Sequence, residues 1–316
     1  MKIIKQLGFN LYSYLYNYLN SERATKMTTI TSNQPIYMFG TSYTKEAFPK
    51  VKQLMNDLIG VTYRKGYQSL GNSYLTTDAG WGCAIRSTQA LIVNAIFSYL
   101  QSTNNQNNDK QQKEKNKTFC INMISDTISA PLSIHNMYVL PIVQEHNPTG
   151  HNWQSPSTCS IAFSTLLNQM ENKPLPCVMC TDHIPDCSET SLYLVSRIIT
   201  QSERSLISNL FTLPTCYGFI GGIGCSALYG FALQNQTIYF LDPHVVQPIG
   251  SQGYDNSPVY TTSISSLDNS MTFAFICHNE VDCQALRSLF SMGKDPIVTK
   301  DLLSTEELDG FEVLNF

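Results

Sequence analysis

The stretch 217–233 carries no charged residue and is broken by Gly218, Gly221, Gly222, Gly224 and Gly230. A bilayer span needs about 20 apolar residues, and so many glycines do not sustain a helix. The stretch therefore reads as buried strands at 218–223 and 228–234 joined by a glycine turn, with a third strand at 236–242. Further strands are expected at 36–39, 175–181 and 271–277. Helical spacing appears in Val51, Leu54, Met55 and Leu58 within 49–60, and in Ile85, Ile92, Ile96 and Tyr99 beyond Gly82. Helices are also expected at 160–171 and 284–291. Strands and helices interleaved around one apolar core, without internal repeats, imply an α/β or α+β layered domain, and 316 residues suffice to bury a large interior.

Three segments fall outside that core. Residues 1–34 form a Tyr- and Asn-rich leader, helical at 5–19 and loosely attached, before a main domain at 35–300. Residues 101–117, reading QSTNNQNNDKQQKEKNK, contain no apolar side chain, so burial cannot offset their ordering entropy and a disordered insertion is expected. Residues 301–316 form a tail.

The net charge of -4, with scattered Lys and Arg, gives no footprint for a nucleic-acid backbone, and nucleic acid is not expected as a partner. Ten cysteines in a chain of this length, several within apolar runs, read as buried thiols of a reducing compartment rather than as a disulfide framework. Lys2 and Lys5 precede apolar residues as in a signal peptide, but Asn10, Ser13 and Asn17 interrupt the run and no small-residue cleavage site follows. A cytoplasmic protein is expected.

Two short motifs carry candidate chemistry. In Gly80-Trp81-Gly82-Cys83 a cysteine opens a long helix, and a thiol attacks as thiolate, the form that the positive end of a helix and a nearby imidazolium favour. On its own, a cysteine at a helix start is more often plain packing. In Leu241-Asp242-Pro243-His244 an acid and an imidazole stand two residues apart at a strand end, on the same side of an extended chain, as an acid that orients a base requires. Alone, this step is more often a capping acid and a surface histidine in a turn. Together they give a helix-start cysteine followed about 160 residues later by an oriented histidine, the order found in papain-like proteases. No Gly-x-Ser-x-Gly or His-Glu-x-x-His motif competes. Cys177-x-x-Cys180-x-x-His183-x-x-x-Cys187 has zinc-ligand residue types, but a strand through 175–181 sends Cys177 and Cys180 to opposite faces, so no metal is expected. His135, His146, His151 and His278 have no acid at a useful spacing.

Tyr63-Arg64-Lys65-Gly66-Tyr67, Thr77-Asp78-Ala79-Gly80-Trp81-Gly82-Cys83-Ala84-Ile85-Arg86, and Leu241-Asp242-Pro243-His244 with Gln247 resemble the autophagins, the autophagy-related protein 4 family of cysteine proteases. Pro131-Leu132-Ser133-Ile134-His135, Trp153 before Ser155-Pro156, and Gly221-Gly222 extend the resemblance over residues 36–316. It implies a papain-like core with a small extra lobe, Cys83 as nucleophile, His244 as base, Asp242 as its orienter and Tyr63 as oxyanion donor, with no cofactor. It also implies a substrate, the ubiquitin-like autophagy-related protein 8, trimmed to its C-terminal glycine and later cut from phosphatidylethanolamine, with transient membrane association through that lipidated form. Trp81 and Trp153 would contact substrate, Trp153 by covering the active-site entrance. Glu306 to Leu314 resembles the family's tail motif, in which Phe311 and Leu314 fill apolar pockets of the modifier as the segment adds a strand to its sheet. Two departures stand out: Ile223-Gly224-Cys225 replaces the family's Lys-Pro-Asn, and Ser87 replaces a frequent second cysteine. The competing readings are a protease of the ufmylation type, whose boxes are similar, and a non-catalytic adaptor that binds the modifier.

Overall fold

The computed structural model describes residues 25–27, 30, 32–103, 110–146, 154–224, 226–250, 254 and 257–291. In chain order the elements are β1 (Thr25–Lys26), β2 (Ile36–Met38), β3 (Thr41–Tyr43), α1 (Phe48–Asp57), β4 (Arg64–Lys65), α2 (Cys83–Thr103), α3 (Lys110–Met123), α4 (Ile134–Tyr138) and α5 (Pro141–His146). They continue with α6 (Pro156–Gln169), β5 (Cys177–Cys180), β6 (Ser191–Ile198), α7 (Ser205–Phe211), β7 (Cys216–Ile223), β8 (Ser226–Gln234) and β9 (Thr237–Leu241). The last are β10 (Gln247–Pro248), β11 (Val259–Ser263), β12 (Ser270–Cys277) and α8 (Glu280–Ser291).

One large sheet runs β1-β11-β9-β8-β7-β12-β6-β5, with β2 pairing β8 and β3 pairing β2. Its ladders are antiparallel except that between β5 and β6. The glycine-rich stretch forms the antiparallel pair β7 and β8 at the centre. Gly230 is required there because a Cβ would come within 2.4 Å of the Phe219 ring.

Strand alternation builds a core on each face of the sheet. Tyr239 and Leu241 of β9, Leu192 and Leu194 of β6 and Ala274 and Ile276 of β12 pack with α1, α2 and α6. Their neighbours Ile238, Phe240, Tyr193, Val195, Phe273 and Phe275 face the other way, onto α7 and α8. Helices thus cover both faces, which is why the strands read as continuous apolar runs. Cys177 belongs to the first core and Cys180 to the second, as the alternation through β5 requires. Among the described residues no cluster of His, Cys, Asp or Glu is arranged to hold a metal. The nine described cysteines are unbridged, and all but Cys187 are buried.

Two expectations need correction. The insertion is not wholly without structure: residues 101–103 close α2, and 110–117 form the first half of α3. Its polar side chains are held by specific bonds, Asn116 Nδ2 donating to the Leu100 carbonyl at 3.3 Å and Lys113 Nζ to Asp57 at 2.5 Å, while Cys120 and Met123 further along the helix are buried. Within the leader, Thr25 and Lys26 pair with Thr261 and Tyr260 at the sheet's edge. The expected helix at 5–19 lies outside the described residues. Finally, β6 and β11 were not foreseen. Ser191 to Arg197 are buried without a break, so β6 shows no polar alternation to mark a strand.

Candidate active site

The turn before α2 is built for close packing. Gly80 has φ 88°, the left-handed region where a side chain is disfavoured. The Asp78 carbonyl accepts the amides of Trp81 and Gly82 at 3.2 and 2.9 Å, and a Cβ at Gly82 would lie 2.6 Å from the Asp78 side chain. Only glycine at 82 allows that approach. The Gly82 carbonyl takes the Arg86 amide at 3.0 Å, so Cys83 is the first residue of the helix, where the dipole favours negative charge. Trp81 beside it is buried, its indole nitrogen donating to the Thr77 carbonyl at 3.1 Å.

The second half of the site leaves the end of β9. Asp242 Oδ1 accepts both the His244 amide, at 2.9 Å, and His244 Nδ1, at 2.5 Å. His244 also hydrogen-bonds the Cys83 side chain. Cys83, Asp242 and His244, 161 residues apart from first to last (244 − 83), thus meet in one chain of hydrogen bonds. Burial opposes charge on His244, but the Asp242 carboxylate, its hydrogen bond and the Cys83 side chain outweigh it and raise the imidazole to about 9.

Tyr63 stands edge-on to His244, ring centres 5.3 Å apart at 80°. Its amide donates to the Pro243 carbonyl at 2.8 Å and its carbonyl accepts the Gln247 amide at 2.9 Å, so the residue is clamped to the His244 segment. A second thiol, Cys159, lies near Cys83, but burial pushes it far up and it stays neutral.

Residues 48–289 match the family model of the peptidase C54 catalytic domain. The chain belongs to the peptidase C54 family. It is accordingly a cysteine peptidase of papain-like fold, a member of the autophagins. Among curated relatives it is 27% identical over 84% of its length to a probable cysteine protease atg4 of Schizosaccharomyces pombe, covering 88% of that protein. It is 28% identical over 74% of its length to a probable cysteine protease ATG4 of Meyerozyma guilliermondii, and 23% identical over 73% to the cysteine protease ATG4b of Arabidopsis thaliana. It spans 58% of each of the latter two. Trp153, Phe311, Leu314 and Cys225 lie outside the described residues, as does His151.

The sequence motifs contain the three side chains that meet here, Cys83, Asp242 and His244, but do not mark Asp126. Its carboxylate, in the turn after α3, pairs with Arg86 at 2.7 Å and with Arg64 at 3.6 Å. No motif around it signals that contact, which only the tertiary fold creates. Among the described residues no helix is long and apolar enough to cross a membrane.

Proposed function

We propose that this peptidase hydrolyses the amide bond after the C-terminal glycine of an autophagy-related protein 8 type modifier, with Cys83, His244 and Asp242 as its triad. The observation that carries the reading is the continuous path from Asp242 through His244 to the sulfur at the head of α2. The Cys83 thiolate attacks the glycine carbonyl while the negative oxygen that forms draws on a neutral donor, for which Tyr63 is the candidate. The tetrahedral species collapses as the His244 imidazolium gives its proton to the departing nitrogen, leaving a thioester. His244 then takes a proton from water, which attacks the thioester and frees the glycine carboxylate and Cys83. No cofactor enters any step.

The leaving amine is the next residue's nitrogen when a precursor is trimmed, and the ethanolamine nitrogen when the lipidated form is cut. Both reactions therefore break the same bond type, and the lipidated substrate is what brings a cytoplasmic enzyme transiently to a membrane. Trp81 and Trp153 serve the narrow entrance, and Phe311 and Leu314 dock the modifier. Incubation with the modifier bearing a C-terminal extension, beside ubiquitin and the ufmylation modifier similarly extended, tests the reading by mass spectrometry. Cleavage after glycine of the first alone supports it. Cleavage of the ufmylation modifier alone, or of none, overturns it.

A further inference from the structure

Four motif residues, Arg64, Asp78, Arg86 and Gln247, play no part in the chemistry above, yet they converge behind it. Arg64 is 1% exposed and touches both halves of the site. Toward the nucleophile, its amide donates to Asp78 Oδ1 at 2.7 Å, and its carbonyl accepts Thr77 Oγ1 at 2.9 Å. Asp78 Oδ2 in turn accepts Arg86 Nε at 2.6 Å, one helical turn beyond Cys83. Asp126 bridges the two guanidiniums, which fixes the Arg64 side chain to α2. Toward the base, Arg64 Nη1 donates to Gln247 Oε1 at 2.6 Å, three residues past His244. The parallel pair β4 and β10 carries the same joint in the backbone, aligning Gln247 with Arg64 and Pro248 with Lys65. The Tyr254 ring stacks on the Arg64 guanidinium at 4.7 Å.

We propose that Arg64 and Gln247 are positioning residues whose hydrogen bond sets the separation of His244 from Cys83. His244 sits on the segment after β9, held to its own neighbour Asp242 but not thereby to α2. Asp242 orients the ring; a second attachment must fix where the segment stands relative to the helix. Backbone bonds of Tyr63 and the β4–β10 pair hold the segment to residues 63–65, and the Arg64 guanidinium, bonded to Asp126 on one side and to Gln247 on the other, carries that hold through to α2. The segment and the helix then move as one body, and a thiolate–imidazolium pair requires a separation held within a fraction of an ångström. Arg64 supports the reaction through His244, without touching substrate.

This inference rests on the triad reading, so the test separates the two. The rate of Cys83 alkylation by iodoacetamide, followed by peptide mass mapping from pH 5 to 10, reports the thiolate paired with His244 without any substrate. Gln247→Leu removes the acceptor from a half-buried position and leaves the buried charges intact. It is expected to slow alkylation about tenfold at pH 6 and hardly at pH 9.5, and to lower kcat about tenfold with KM within twofold. Gln247→Glu keeps the acceptor and is expected to restore both to within about threefold. Arg64→Lys, which cannot reach Asp126 and Gln247 together in a fixed fork, is expected to resemble Gln247→Leu. Wild-type alkylation and kcat in Gln247→Leu overturn the proposal, as does a loss that is equal at every pH and follows Tm. If His244→Ala leaves the alkylation profile unchanged, the triad reading has failed and this one with it; if His244→Ala flattens the profile and Gln247→Leu does not, the positioning role alone is wrong.

Discussion

At His244 two influences oppose each other, and their balance decides the pH range of the enzyme. Burial disfavours the imidazolium, while Asp242 and the Cys83 sulfur favour it more strongly, placing the group near 9 against an ordinary 6.5. A folded value raised above the unfolded one contributes stability in full below about 6.5 and loses it as pH rises to about 9. In the proposed mechanism the same proton is delivered to the leaving amine. The expected kcat/KM profile therefore has an alkaline limb near 9, and Asp242→Asn, which removes the largest favourable influence, moves that limb to lower pH and reduces the rate. A limb unchanged in Asp242→Asn would detach Asp242 from the base. Tyr63→Phe is expected to reduce kcat by about 10- to 1000-fold if its hydroxyl meets the oxyanion, with KM little altered. Equal kcat in the two proteins would assign the ring a packing role only. Cys83, Asp242 and His244 were legible in the sequence because each sits in a short motif with its own local logic: a glycine turn into a helix, and an acid two residues before an imidazole. Asp126 was not, because its partners are 62 and 40 residues away (126 − 64 and 126 − 86) and nothing near it in the chain marks it.

At the scale of elements, composition misled where a helix is nearly all polar. The residues that open α3, Lys110 to Lys117, offer no apolar stripe, and their order comes from the buried Cys120 and Met123 downstream and from Asn116 bonded to the end of α2. Deleting residues 101–117 is therefore expected to lower Tm rather than leave it unchanged. Met123→Ala is expected to cost about 2 to 5 kcal/mol in urea unfolding, as large-to-small changes at buried sites do. A cost below about 0.5 kcal/mol would show that α3 does not pack as described. β6 was illegible for the opposite reason, since burial on both faces erases the alternation that marks a strand. Its Arg197 sits where a core strand would not be expected to carry a charge, and the fold accommodates it by having Nη1 donate to the Phe290 carbonyl at the end of α8 and Nη2 to Glu203.

At the scale of the whole molecule, the sheet is a frame that sets α2 on one face and delivers the end of β9 to its N-terminus. The tail lies outside the described residues, so its role is settled by kinetics. Phe311→Ala with Leu314→Ala is expected to raise KM for the modifier and leave kcat intact, because contacts remote from the bond that breaks hold ground and transition states alike. An unchanged KM would remove the tail from substrate binding. The central claim, that the sulfur at the head of α2 is the nucleophile aimed at the modifier's terminal glycine, is tested most directly by covalent capture. The modifier, ending in a vinyl methyl ester in place of its final carboxylate, is mixed with the protein and the adduct is mapped by peptide mass spectrometry. The account predicts one thioether, at Cys83, absent in Cys83→Ala and formed much more slowly in His244→Ala. An adduct at another cysteine such as Cys187, or capture that persists at the wild-type rate in His244→Ala, would contradict it.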